Sequence, residues 1–132
     1  MNYKERIRKA ADRMVDHHEE DWNMNMESFD WVPAVGLYGV FEAYRATGDQ
    51  KYLDYLKGWS DRHLGEAYQQ KTVNSIAPML TMLSLYQETG DERLKQTAVE
   101  LAEYVINEAP RTVDGGLEHT VTEPVPGFSD QV

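Results

Sequence analysis

Two kinds of helical pattern alternate along the chain. Residues 31–46, WVPAVGLYGVFEAYRA, are apolar on nearly all sides, whereas residues 50–64, QKYLDYLKGWSDRHL, carry one apolar stripe of Tyr52, Leu53, Leu56, Trp59 and His63 with charge opposite. A helix enclosed by neighbours is apolar all round, and a helix with a wet side is striped. The alternation then repeats. Residues 76–87, IAPMLTMLSLYQ, are apolar throughout, and 92–108, ERLKQTAVELAEYVINE, are striped through Leu94, Ala98, Leu101, Ala102 and Val105. With an outer leader helix over about residues 2–19, the pattern predicts about five helices, a leader and two inner–outer hairpins. None shows the two-in-seven seam of a coiled coil.

The hairpins are copies of one unit. YRATGDQKY at 44–52 recurs as YQETGDERL at 86–94, Tyr44 mapping onto Tyr86 at an offset of 42 residues. Periods near forty mark two-helix units stacked side by side. Gly48 and Gly90 suit the left-handed residue that ends a helix. Asp49 and Asp91 are expected to cap the next one, each contributing about 1 kcal/mol relative to alanine. Gly36 and Gly39, inside the first inner helix, are expected to admit a close neighbour, which offsets their poor helix propensity. The fold class that follows is all-α, with helical hairpins forming part of a toroid, and residues 1–132 are expected to make a single all-α domain.

Composition narrows the partners. Lys and Arg total 13 against 23 Asp and Glu, a net charge of −10, which argues against nucleic-acid binding because phosphate recognition needs clustered basic residues. The chain has no cysteine, so disulfides and thiolate metal sites are excluded. The N-terminus lacks the apolar core of a signal peptide, and no apolar run is long enough to span a membrane. A cytoplasmic protein that binds no membrane is expected.

The repeat also places candidate chemistry. Trp31 and Asn74 fall one position apart in the repeat, at the N-terminal ends of consecutive inner helices, where Pro33 and Pro78 suit a first turn. Free backbone N–H groups at such ends favour an anionic ligand. By the same offset a third inner helix would begin near residue 115. Instead DGGLEHTVTEPVPGFSDQV reads as a Gly-Gly turn, a short extended piece around Leu117 to His119, and a proline-containing loop on the same rim. That insertion moves the expected start of the third inner helix to just past Val132.

WVPAVGLYGVFEAYRATGDQKYLDY, VNSIAPMLTMLSLYQETGDERL, DGGLEH and SDQV, taken in order, resemble the N-terminal third of the unsaturated glycuronyl hydrolases, glycoside hydrolase families 88 and 105, the latter containing the unsaturated rhamnogalacturonyl hydrolases. The resemblance runs from about residue 5 to 132. It implies an (α/α)6 barrel of twelve helices, of which this chain supplies a part. It also implies a substrate, an oligosaccharide ending in the 4,5-unsaturated uronic acid that a polysaccharide lyase leaves. An aspartic acid protonates the vinyl ether, water adds, and the hemiketal collapses to release the next sugar, unlike the two-carboxylate displacement of ordinary glycosidases. No cofactor and no metal are implied. The family aspartate sits in a Trp-x-Asp motif just after the segment matching SDQV, so the catalytic Asp is expected beyond Val132. No catalytic residue is therefore assigned within 1–132, and the chain alone is expected to be inactive. Carried over as substrate-binding residues are Trp31 as a stacking surface, Asn74 as a polar contact, His119 as a substrate ligand and Gln131 as a rim residue. Many members carry Asp where Asn74 stands. Asn74 cannot titrate, although it can hold a sugar hydroxyl or orient water.

Plainer readings compete at several positions. Trp31 could cap the core, and Asn74 could be an N-cap. His63 reads as a core residue, and Tyr38, Tyr44 and Tyr86 read as core by their helical spacing. His17 and His18 beside Glu19, Glu20 and Asp21 read as a solvated helix end, since adjacent residues of a helix point about 100° apart. At the level of the whole chain, the rivals are a helical-repeat interaction module and a sugar epimerase on the same toroid. Apolar inner helices left uncovered would favour self-association, whichever reading holds.

Overall fold

The computed structural model describes residues 1–16, 25–69 and 71–118. Its helices are α1 (Tyr3–Asp16), α2 (Trp31–Thr47), α3 (Gln50–His63), α4 (Met79–Thr89) and α5 (Glu92–Asn107), with a 3-10 turn at Leu64–Tyr68 prolonging α3. Among the described residues there is no strand, only an isolated antiparallel bridge between Arg111 and Leu117. That bridge closes the Gly-Gly turn, with Gly115 in the left-handed region at φ 86°. The all-α hairpin architecture is as the pattern predicts. The leader ends its described part at Asp16, and residues 17–24, with His17, His18 and the acidic run after them, lie outside the described residues. So does the segment from His119 to Val132, and with it the junction past Val132 where the third inner helix and its catalytic Asp are expected.

Both Thr-Gly-Asp turns are built alike. Gly48 and Gly90 adopt φ 76° and 72°, and their N–H groups donate to Tyr44 and Tyr86 carbonyls. The threonines complete the motif. Thr47 Oγ1 donates to the Ala43 carbonyl at 2.7 Å and accepts from the Asp49 N–H, and Thr89 repeats this with Leu85 at 2.8 Å and Asp91. Each hydroxyl thus satisfies one terminal carbonyl of the outgoing helix and one N–H of the incoming chain. The aspartates differ, however. Asp91 accepts from the Arg93 N–H as a cap should, whereas Asp49 makes no side-chain cap bond. Its carboxylate is engaged by Arg8 of α1 at 2.6 Å, which holds it below the usual carboxylate range. The same contact docks α1, helped by a 2.6 Å bond from Tyr52 Oη to Asp12 and an ion pair between Asp12 and Lys51.

α2 packs against α1, α3 and α4, and α4 pairs with α5. The core between them holds Leu37, Val40, Tyr52, Leu56, Trp59, Met82, Leu85 and Leu94, all nearly or fully buried. Gly36 is the close approach it was expected to be: a Cβ there would lie 2.8 Å from Met26 Cε and nearer still to Met14 Cε. Gly39 is not, since a Cβ there would meet nothing within 4 Å; it borders an open apolar groove between α1 and α2. On α5, Ala102 is exposed and Thr97 takes a buried place, so the stripe runs through Leu94, Ala98 and Leu101 but turns off before Ala102. α4 begins at Met79, later than the run from Ile76 suggests. Thr72 and Ser75 bond each other's backbone N–H at 2.9 and 3.2 Å, a reciprocal cap that starts a series of three-residue turns ahead of Pro78.

Candidate functional site

The hairpin geometry fixes which ends of the inner helices lie together. Tyr44 Oη, near the end of α2, reaches Glu88 near the end of α4 at 3.5 Å, so the C-terminal ends of these adjacent helices share one side. Trp31 lies thirteen residues before Tyr44 and Asn74 fourteen before Glu88. Both lie on the N-terminal side of their helices, Trp31 at the start of α2 and Asn74 in the turn ahead of α4.

Trp31 opens α2 and is 51% exposed, so it does not cap the core. The Asp30 carboxylate accepts from its N–H at 2.7 Å and occupies the first free donor of the helix. Below Trp31 on the same helix face come Val35, 68% exposed, and Tyr38, 41% exposed. Spacing alone groups Tyr38 with the core; the structure places it on this open face instead, which makes it a second aromatic candidate for ligand contact. Tyr44 and Tyr86 do pack against the core, with their hydroxyls out to Glu88 and Glu92. The spacing of four and three residues from Trp31 through Val35 to Tyr38 was the available signal.

Asn74 is half-buried in the turn ahead of α4, and its carbonyl accepts from the Ala77 N–H at 3.2 Å. The N-cap of α4 is Pro78, which makes no side-chain cap bond, so Asn74 does not cap this helix, and the side-chain bonds at the turn are those between Thr72 and Ser75. Its side-chain amide makes no hydrogen bond to a described residue. His119 and Gln131 lie outside the described residues, as does Val132, beyond which the catalytic aspartate is expected. Immediately before His119, Glu118 is buried and its N–H donates to the Pro110 carbonyl at 2.9 Å.

The chain leading into Trp31 is held by the far end of α3. Trp59, fully buried, donates its indole N–H to the Met26 carbonyl at 2.6 Å and stacks on Phe29 at 5.7 Å between ring centroids. Glu66 accepts from the Phe29 N–H at 3.0 Å. His63 is buried, as its stripe position predicts, and sits against Trp59 at 4.8 Å. Burial pulls the Glu27 carboxyl upward, but hydrogen bonds from His63 and Arg62 outweigh this and hold it below its usual range. Among the described residues no group of His, Cys, Asp or Glu has the arrangement of a metal site, and no helix is long and apolar enough to cross a membrane.

The family model of Glycosyl Hydrolase Family 88 matches residues 6–130. Over 127 residues, 96% of its length, the chain is 36% identical to the unsaturated rhamnogalacturonyl hydrolase YesR of Bacillus subtilis and covers 36% of that protein. Its structure superposes with a TM-score of 0.76, at 30% identity, on the crystal structure of a possible member of the GH105 family from Salmonella enterica serovar Paratyphi A. That match takes in 91% of this chain and 35% of the other. The chain thus spans about a third of the length of the relatives it matches.

Proposed function

The chain belongs to glycosyl hydrolase family 88, and from that membership we propose that it serves the release of a terminal 4,5-unsaturated uronic acid from lyase-generated oligosaccharides. Within that activity residues 1–132, as one all-α domain, supply a sugar-binding rim. What supports the reading is an exposed Trp31 at the start of α2 and, ahead of the adjacent α4, an Asn74 amide that bonds no described residue. The indole offers a flat apolar surface to a sugar face, and the amide offers two donors and an acceptor to hydroxyls or a water. His119 and Gln131 join them by resemblance to the family. Proton delivery needs a titrating acid, which Asn74 is not; that role is proposed for an aspartate beyond Val132. The setting proposed is cytoplasmic.

Titration of the chain with an unsaturated galacturonyl-rhamnose disaccharide, followed by NMR, tests this. Shifts centred on Trp31, Asn74 and Tyr38 are expected; an unchanged spectrum at millimolar sugar would refute the rim.

A second proposal concerns partners. Val35 and Tyr38 of α2 and Leu80 and Leu83 of α4 are all exposed, Leu80 at 62%. Two adjacent helices with open apolar faces associate readily in water, and the proposed occupant is a second copy of this chain. In sedimentation velocity the wild-type 132-residue chain is expected to gain mass with concentration, and Val35→Glu with Leu80→Glu to stay monomeric. A wild type that sediments as a monomer at all concentrations excludes the pairing.

A further inference from the structure

His63 stands between two carboxylates. Its Nε2 lies 2.6 Å from Glu27 Oε2 and its Nδ1 2.8 Å from Glu66 Oε1, while the ring itself is buried. An ionised carboxylate only accepts hydrogen bonds, and a neutral imidazole has one donor; only the imidazolium donates to both. The surroundings suit the cation. The Trp59 ring lies 4.8 Å away, close enough for its face to attract a positive charge.

Both carboxylates belong to the hold on the segment entering α2. Glu66 uses its second oxygen for the Phe29 N–H, two residues before Trp31, and Glu27 is itself part of the segment. We propose that His63, as an imidazolium bonded to Glu27 and Glu66, is a positioning residue for the rim, so that the placement of Trp31 is coupled to the protonation of one buried histidine. The proposal rests on the sugar-rim reading only for its consequence in binding.

Several titratable and charged groups face the clasp. Glu27 comes from the segment before α2, Glu66 from the 3-10 turn, and Arg62 of α3 reaches Glu27 at 3.3 Å, with Tyr55 of α3 near the same carboxylate. The contribution of Glu27, whose carboxyl is held below its usual range, is lost only as pH falls through that lowered value. The carboxylate side of the clasp therefore stays charged down to that lowered value.

A pH titration of the nitrogen-labelled 132-residue chain by NMR, reading the His63 ring and the Trp31 backbone amide together, is the test. Both ring nitrogens are expected to carry protons while the clasp is closed, and the Trp31 amide to shift together with the ring. In His63→Phe, which keeps the stacking on Trp59, that Trp31 step is expected to vanish. A singly protonated ring at pH 6, or a Trp31 amide indifferent to the ring's titration, overturns the proposal, and both are read on the wild type without relying on a variant that folds. The unsaturated disaccharide serves as the probe of consequence. Its affinity is expected to drop across the same step, and a flat affinity cuts the link to the rim. No sugar binding at any pH defeats the sugar-rim reading, while the Trp31 step still decides the clasp.

Discussion

Replacing Trp59 by alanine is expected to cost about 4 kcal/mol of folding stability, within the range for truncating a buried aromatic. Three losses coincide there. The side chain has no exposure, so its whole volume becomes a cavity. The Met26 carbonyl loses its 2.6 Å donor, and Phe29 and His63 lose the ring they stack on. Against a total of roughly 5–15 kcal/mol for an ordinary domain, this is enough to unfold much of the chain under mild denaturant. Trp59→Phe separates the contributions. It keeps most of the packing and removes only the indole N–H, leaving a carbonyl unpaired at about 1–2 kcal/mol. Urea unfolding of the two variants beside wild type makes the measurement. Equal costs for alanine and phenylalanine would mean that the hydrogen bond, and not the packing, holds the segment before α2; a cost below 1 kcal/mol for alanine would mean that the site collapses freely.

The fate of particular residues shows where local sequence carries structural information. Gly48 and Gly90 announce their turns because a left-handed helix end has a local cause, and the 42-residue period then orders the helices and puts Trp31 and Asn74 at one end. Trp59 and His63 are legible as buried because they share a stripe. What escapes is set by partners distant in sequence. Asp49 has the local look of a cap, but Arg8, 41 residues earlier, offers a charged bond that a backbone N–H does not match. The two carboxylates of the His63 clasp include Glu27, 36 residues away, and nothing near either residue hints at the other. Sequence misplaces Tyr38 and Gly39 because periodicity on an apolar helix cannot say which side stays uncovered. It misplaces Ala102 because an alanine fits a stripe or a surface equally well. Of the candidate site, the rim and its aromatic are readable from the repeat. The reciprocal bonding of Thr72 and Ser75, beside which the Asn74 amide bonds no described residue, is not, since either residue could serve the same turn.

Trp31→Ala is expected to weaken binding of the unsaturated disaccharide about tenfold and to lower stability by about 1–2 kcal/mol, well short of the loss at Trp59. The two halves of this prediction come from the same fact. Half of the Trp31 surface is already in water in the free chain, so only the other half is lost to the fold when the ring goes. That open surface is what a sugar face would cover, and burying some 50 Å² of apolar area at about 25 cal/mol per Å² gives roughly 1.3 kcal/mol, near one factor of ten. Trp31→Phe keeps a ring at the same helix position and is expected to lose about threefold or less. Isothermal titration of the three proteins with the disaccharide, alongside thermal melts, separates platform from packing. Unchanged affinity in Trp31→Ala removes Trp31 from the site, and the exposed ring of Tyr38 two turns along α2 becomes the stacking surface to test next. A large fall in melting temperature with unchanged affinity would instead make Trp31 a packing residue.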